Sequence, residues 1–146
     1  VEYLGALSPP VSLPVAATAP GIFTQDVSGT GPGAILNTAD ESVNSASNPA
    51  APGDWVSIFA TGATTPAGVD GLLAPGPSNP PNAKVAVTIG GLPCQIEYAG
   101  GAPGLVSGVV QINAQVPANV TPGASVPVQV VIGTASSQSG VTLAVR

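Results

Sequence analysis

Apolar residues recur at every second position in one stretch of this chain after another, a period that a strand satisfies and a helix does not. Val85, Val87 and Ile89 share one parity, as do Val110, Ile112, Ala114 and Val116. The pattern returns in Val126, Val128, Val130 and Ile132 and again in Val141, Leu143 and Val145. A strand sends successive side chains to opposite faces, so each run predicts a half-buried, antiparallel strand. Further strands are expected over residues 11–16, 33–37, 54–60 and 94–98. Between the runs stand Gly90-Gly91, Gly100-Gly101-Ala102-Pro103-Gly104 and Thr121-Pro122-Gly123, which read as turns. No stretch carries a 3.6-residue period. Short strands at this spacing predict an all-β fold, an antiparallel β-sandwich.

Composition sets the kind of core and surface these strands can build. A chain of 146 residues is one domain and buries roughly 68–70% of its unfolded surface. Its apolar residues are Val, Ala, Ile and Leu, with 3% aromatic residues and no Met. Charged residues make up 6%, against about 25% in an ordinary soluble domain, so Ser, Thr, Asn and Gln must carry the surface. A net charge of −5, with only Lys84 and Arg146 positive, argues against nucleic acid and anionic membrane surfaces as partners. No apolar stretch reaches the length of a spanning helix, so membrane insertion is not expected. The start at Val1, without Met or leader, is expected of a mature product or a fragment of a longer chain. Scarce Lys and Glu with abundant Thr, Ser and Ala suit an extracellular or cell-surface protein.

Residues 1–18 read as an orphan hairpin or strand ahead of a sandwich at 19–146. Leu4-Gly5-Ala6-Leu7-Ser8-Pro9-Pro10-Val11-Ser12-Leu13-Pro14-Val15 echoes the C-terminal run that passes from Ile132 through a Gly/Ser-rich turn to Val141-Thr142-Leu143-Ala144-Val145. A lone hairpin is marginal in water, and Pro14 confines its strand to a sheet edge. Its open backbone groups need partners. The segment is therefore expected to be either the tail of a preceding module or a donor strand for another copy. Donation of a strand gives directional association, and a head-to-tail contact propagates as a filament or surface layer. Val1, Tyr3, Val11, Leu13 and Val15 are the residues expected at that subunit interface. The protein's principal partner would then be itself.

Six motifs follow one another along the chain: Ala19-Pro20-Gly21-Ile22-Phe23-Thr24, Phe59-Ala60-Thr61-Gly62, Thr88-Ile89-Gly90-Gly91, Tyr98-Ala99-Gly100, Ala102-Pro103-Gly104 and Gln111-Ile112-Asn113. In that order they resemble the uncharacterised C-terminal domain of large secreted Solibacter-type bacterial proteins. The resemblance covers nearly the whole chain and departs at Thr64, where another Gly is expected. It implies an immunoglobulin-like sandwich at the end of a long extracellular protein, and it implies no particular chemistry.

The residues themselves argue against an enzyme. Nucleophilic catalysis usually needs a His base, and the chain has none. Lys84 reads as a solvated residue at a strand edge, and Asp40 and Glu41 as neighbours on a turn. Cys94 without His excludes ordinary zinc spacing, and the loops at 25–28 and 38–42 lack a calcium-binding pattern, so neither metal nor cofactor is expected. Cys94 is in phase with Ile96 and Tyr98 and is expected to be a small core residue. Trp55 and Phe59 share one strand face, with Ser57 between them. In a chain so poor in aromatics they are expected inside the core. The alternative is an aromatic stripe facing glycans, which would make this a carbohydrate-binding or adhesive module. Gln111, Asn113 and Gln115 form a polar strand face, either solvated or an amide ladder against a neighbouring subunit. Asn119-Val120-Thr121 is an N-glycosylation sequon on an expected turn.

Overall fold

Alternation along the chain becomes two stacked sheets in the computed structural model, which describes residues 1–63, 71–74 and 83–146. The strands are β1 (Glu2–Tyr3), β2 (Ala6–Leu7), β3 (Gly21–Ile22), β4 (Gly31–Pro32), β5 (Ile35–Asn37), β6 (Ser42–Val43) and β7 (Trp55–Thr61). They continue as β8 (Val85–Ile89), β9 (Leu92–Pro93), β10 (Ile96–Gly101), β11 (Val110–Gln115), β12 (Gly123–Ile132), β13 (Ala135–Ser136) and β14 (Val141–Val145). One six-stranded sheet has the order β10-β11-β7-β5-β6, with β3 on the end of β7. The other has the order β4-β14-β12-β8-β9, with β13 beside β12. Among the described residues every pairing of these strands is antiparallel except the short contact of β14 with β4, and Ala50 also bridges Val145 in parallel. There is no helix among the described residues. Residues 64–82 carry Pro66, Pro75, Pro77, Pro80 and Pro81, and a long loop expected of them lies outside the described residues apart from 71–74.

The core is what the parity dictates. Val56, Ile58, Ile112 and Ala114 of the first sheet face Val87, Ile89, Val128, Val130, Ile132, Val141 and Leu143 of the second in one buried cluster. Full burial of each such Val or Ile side chain stabilises the fold by about 1.5–3 kcal/mol, so this aliphatic layer dominates the folding energy. The expectation for Trp55 and Phe59 fails here. No aromatic residue belongs to the cluster, and both stand half-buried on the outer face of β7 while Val56, Ile58 and Ala60 fill the inner one. Volume explains it. Facing rows of β-branched side chains already close the gap between the sheets, and a ring would overfill it.

A second expectation fails at the N-terminus. Hairpin pairing stops at Leu7: β1 and β2 exchange Glu2↔Leu7 and Tyr3↔Ala6 around Leu4-Gly5, with φ of 49° and 78°. Positive φ at both positions is the tight-turn geometry whose twist suits a hairpin. Residues 11–16 alternate but form no strand. Alternation needs a ladder partner to become a strand, and Pro9, Pro10 and Pro14 have no N–H to offer one.

The sheet edges are blunted. β3, β6 and β13 are two residues long, while β4 and β9 carry Pro32 and Pro93. β10, the longest edge strand, has a bulge between Ile96 and Tyr98 that holds exposed Glu97. Tyr98 then folds over Gly100, and its hydroxyl donates to the Gly101 carbonyl at 2.6 Å. Short, proline-bearing, bulged or charged edges resist pairing with another sheet.

Two side-chain amides stitch the sheets together along one seam. Gln138 accepts from the Ile22 N–H at 2.9 Å and donates to the Ile22 carbonyl at 2.6 Å, acting as a missing strand residue. Asn44 does the same for Ala144, accepting its N–H at 2.7 Å and donating to its carbonyl at 3.0 Å. In each pair one partner belongs to the first sheet or its loops and the other to the second sheet or its loops.

Candidate functional site

Two parts of the surface stand apart from the packed body. The first is the N-terminal arm, in which every residue from 1 to 17 is exposed. Its hairpin is closed locally by Ser8 N–H on the Val1 carbonyl at 2.9 Å and by the Val1 amine on Ser8 Oγ at 3.1 Å. The first contacts with the body come at Thr18, whose hydroxyl donates to the Ile132 carbonyl, and at Ala19, whose N–H donates to the Gly62 carbonyl. The arm is far from hydrophilic. Val1 and Tyr3 lie open on the hairpin, and Val11, Leu13 and Val15 are 80%, 78% and 97% exposed.

The second is the outer face of the β10-β11-β7-β5-β6 sheet. Register sets Trp55 opposite Gln115, Ser57 opposite Asn113 and Phe59 opposite Gln111. On the flanking strands, Tyr98 lies opposite Asn113, and the Phe23 N–H bonds to the Phe59 carbonyl. Ile22 is buried and the following Phe23 is 41% exposed, which puts Phe23 on the same outer face as Phe59. Of all the aromatic residues only Tyr3 lies elsewhere. The sequence reading singled out Trp55 and Phe59 but missed Phe23 and Tyr98. Parity relative to buried Ile22 would have flagged the first. The bulge at Glu97 shifts the parity of Tyr98 and hides the second.

Polar side chains between these rings are tied into a network. Ser57, only 6% exposed, donates to Asn113 Oδ1 at 3.0 Å, and its hydroxyl is 3.3 Å from that of Thr38. Gln111 Nε2 donates to the same Asn113 oxygen at 2.9 Å, and Gln115 Nε2 to the Gly53 carbonyl. A groove of about 440 Å³ runs over this network, lined by Leu36, Thr38, Glu41, Ser57, Phe59, Pro103, Leu105, Gln111 and Asn113. Its far end is held by backbone bonds from Ala74 to Leu105 and from Ser107 to Leu72.

The remaining candidates have local roles. Asp26 and Asp40 turn onto their own loops, accepting from Ser28 and Ser42, and those hydrogen bonds hold both carboxyls below their usual range. Lys84 is exposed ahead of β8. Asn119 is exposed in a turn, at the rim of a second groove of about 370 Å³ between Leu92, Gln95 and Gln115. Cys94 is half-buried at the margin of the core.

Burial pushes the Cys94 thiol up from an ordinary 9.0 to about 11, against a smaller opposing effect of a backbone hydrogen bond. At pH 8 that cuts the thiolate fraction about a hundredfold, while the more basic thiolate regains about tenfold in reactivity. Iodoacetamide should therefore alkylate Cys94 about tenfold more slowly in the folded chain than in urea. Equal rates in the two states would refute this placement of the thiol.

Comparison with known protein families, with curated proteins and with solved structures finds no match to this chain.

Proposed function

We propose that the protein is a non-catalytic structural module of the cell exterior that joins further copies of itself head to tail through residues 1–17. The carrying observation is the arm, whose apolar residues Val11, Leu13 and Val15 stand largely exposed. Burial of a single such side chain is worth about 1.5–3 kcal/mol, so three of them favour association strongly once a partner surface is met. The blunted sheet edges support the same reading, because they turn association away from sandwich-to-sandwich ladders and onto the arm. An immunoglobulin-like connectivity and a secreted location, as the sequence resemblance implies, suit such a module.

The test compares the full chain with a variant lacking residues 1–17 by sedimentation velocity over a wide concentration range. The full chain is expected to give a concentration-dependent ladder of oligomers. The truncated one is expected to stay monomeric with an unchanged melting transition, since nothing before Thr18 enters the core. A full chain that is monomeric throughout, or that stops at a closed dimer, removes the head-to-tail reading. So does a truncated chain that still assembles.

A further inference from the structure

We propose that the outer face of the β10-β11-β7-β5-β6 sheet binds a neutral polysaccharide chain, seated in the groove between Phe59 and Asn113. The placement of the aromatic residues is the first ground. A folding chain gains most by burying its rings, yet here the core is wholly aliphatic and Phe23, Trp55, Phe59 and Tyr98 gather on one outer sheet face. A ring left partly open at the surface gives a flat apolar patch, which matches the C–H face of a pyranose. It also loses little conformational freedom on binding.

The polar groups supply the second ground. Sugar hydroxyls both donate and accept, and side-chain amides and hydroxyls answer in kind. Asn113 Oδ1 is occupied by Ser57 and Gln111, which leaves the Asn113 Nδ2 donors and the Gln111 Oε1 acceptor without a partner among the described residues. None of the described side-chain polar atoms that is buried lacks a partner. The bonds from Ser57 and Thr38 fix the amides in place before any ligand arrives, which lowers the entropy lost on binding.

Charge and size narrow the ligand. The groove lining holds Glu41 and no Lys or Arg, and the whole chain carries −5, so uronates and sulfated chains are repelled. Its volume of about 440 Å³ lies within the range of small-ligand sites. From Trp55 to Phe59 the strand advances about 13 Å, room for more than one sugar ring in line. A chain of neutral sugars fits better than a monosaccharide. This proposal is independent of the N-terminal arm.

The full chain should be titrated with cellohexaose, maltohexaose, mannohexaose and xylohexaose, with hexagalacturonate as the anionic comparison. Calorimetry and Trp55 fluorescence serve as readouts. At least one neutral hexaose is expected to bind saturably and to change the Trp55 emission. Phe59→Ala and Gln111→Ala should each weaken binding about tenfold or more, while Leu7→Ala in the arm leaves it unchanged. Amide chemical-shift changes in the unaltered chain should centre on Thr38, Ser57, Phe59, Gln111 and Asn113, a readout that does not depend on variants folding. The proposal is overturned if no neutral hexaose binds, if hexagalacturonate alone binds, or if the shifts centre elsewhere. It fails equally if Phe59→Ala blocks self-association and no sugar binds, for the face would then be a protein contact.

Discussion

Gly62→Ala is expected to cost about 3 kcal/mol or more and to lower the melting temperature by about 10 °C. Gly62 follows β7 with a φ of +82°, and its carbonyl accepts the Ala19 N–H at 2.8 Å. A Cβ at this position would fall onto the Ala19 carbonyl and lie 2.8 Å from the Pro20 nitrogen. Both obstacles are backbone, so no rotamer change relieves the overlap. The β3 segment would have to lift off β7, breaking Gly21↔Thr61 and Ile22↔Ala60 and withdrawing Ile22 from the core. Gly91→Ala is the internal control. Gly91 has nearly the same φ, +78°, with nothing within 4 Å of an added Cβ, so it should cost only about 1 kcal/mol, the left-handed backbone penalty. The gap between the two variants, read by urea or thermal unfolding, measures the close approach itself. Equal losses would mean that the chain at Ala19 does not pass this close to Gly62.

That close approach joins two of the motifs picked out in the sequence, Ala19-Pro20-Gly21-Ile22-Phe23-Thr24 and Phe59-Ala60-Thr61-Gly62. The sequence could mark them as distinctive but not as neighbours, because the pairing spans some forty residues and leaves no periodic trace. Long strands were legible for a plain reason. In β7, β8, β11, β12 and β14 the buried parity runs for five residues or more, and burial is what the pattern encodes. Two-residue strands such as β3, β6 and β13 are too short to show any period. Residues 11–16 show the converse error, a period without a ladder.

The candidate groove was half legible. Phe59, Gln111 and Asn113 were each visible as members of a strand face, but scarce rings were expected inside, which put Phe59 and its neighbour Trp55 on the wrong side. Composition alone could not say that Val and Ile fill the gap between the sheets. Thr38, Glu41, Pro103 and Leu105 come from loops, and only the fold brings them to one groove.

Asn44→Ala should cost about 3 kcal/mol, an effect far larger than its place in a Ser/Asn-rich loop would imply. Asn44 is 3% exposed, and its side chain binds both backbone groups of Ala144, itself 3% exposed. The two groups respond differently to truncation. The Ala144 carbonyl keeps a second donor, the Ala50 N–H at 3.1 Å, whereas no other acceptor is described for the Ala144 N–H. A buried N–H left alone costs about 1–3 kcal/mol, and the lost bond to Asn37 and the emptied volume add to it. Asn44→Asp should not rescue. One carboxylate oxygen can still accept from Ala144, but the other replaces a donor and faces the Ala144 carbonyl and Asn37 Oδ1, acceptors both. Hydrogen exchange separates a clamp from general packing: the Ala144 and Arg146 amides should lose protection first in Asn44→Ala, while Val87 and Ile112, deep in the core, keep theirs. If both variants unfold within about 1 kcal/mol of the parent chain, this seam is held by the aliphatic core alone and the amide is incidental.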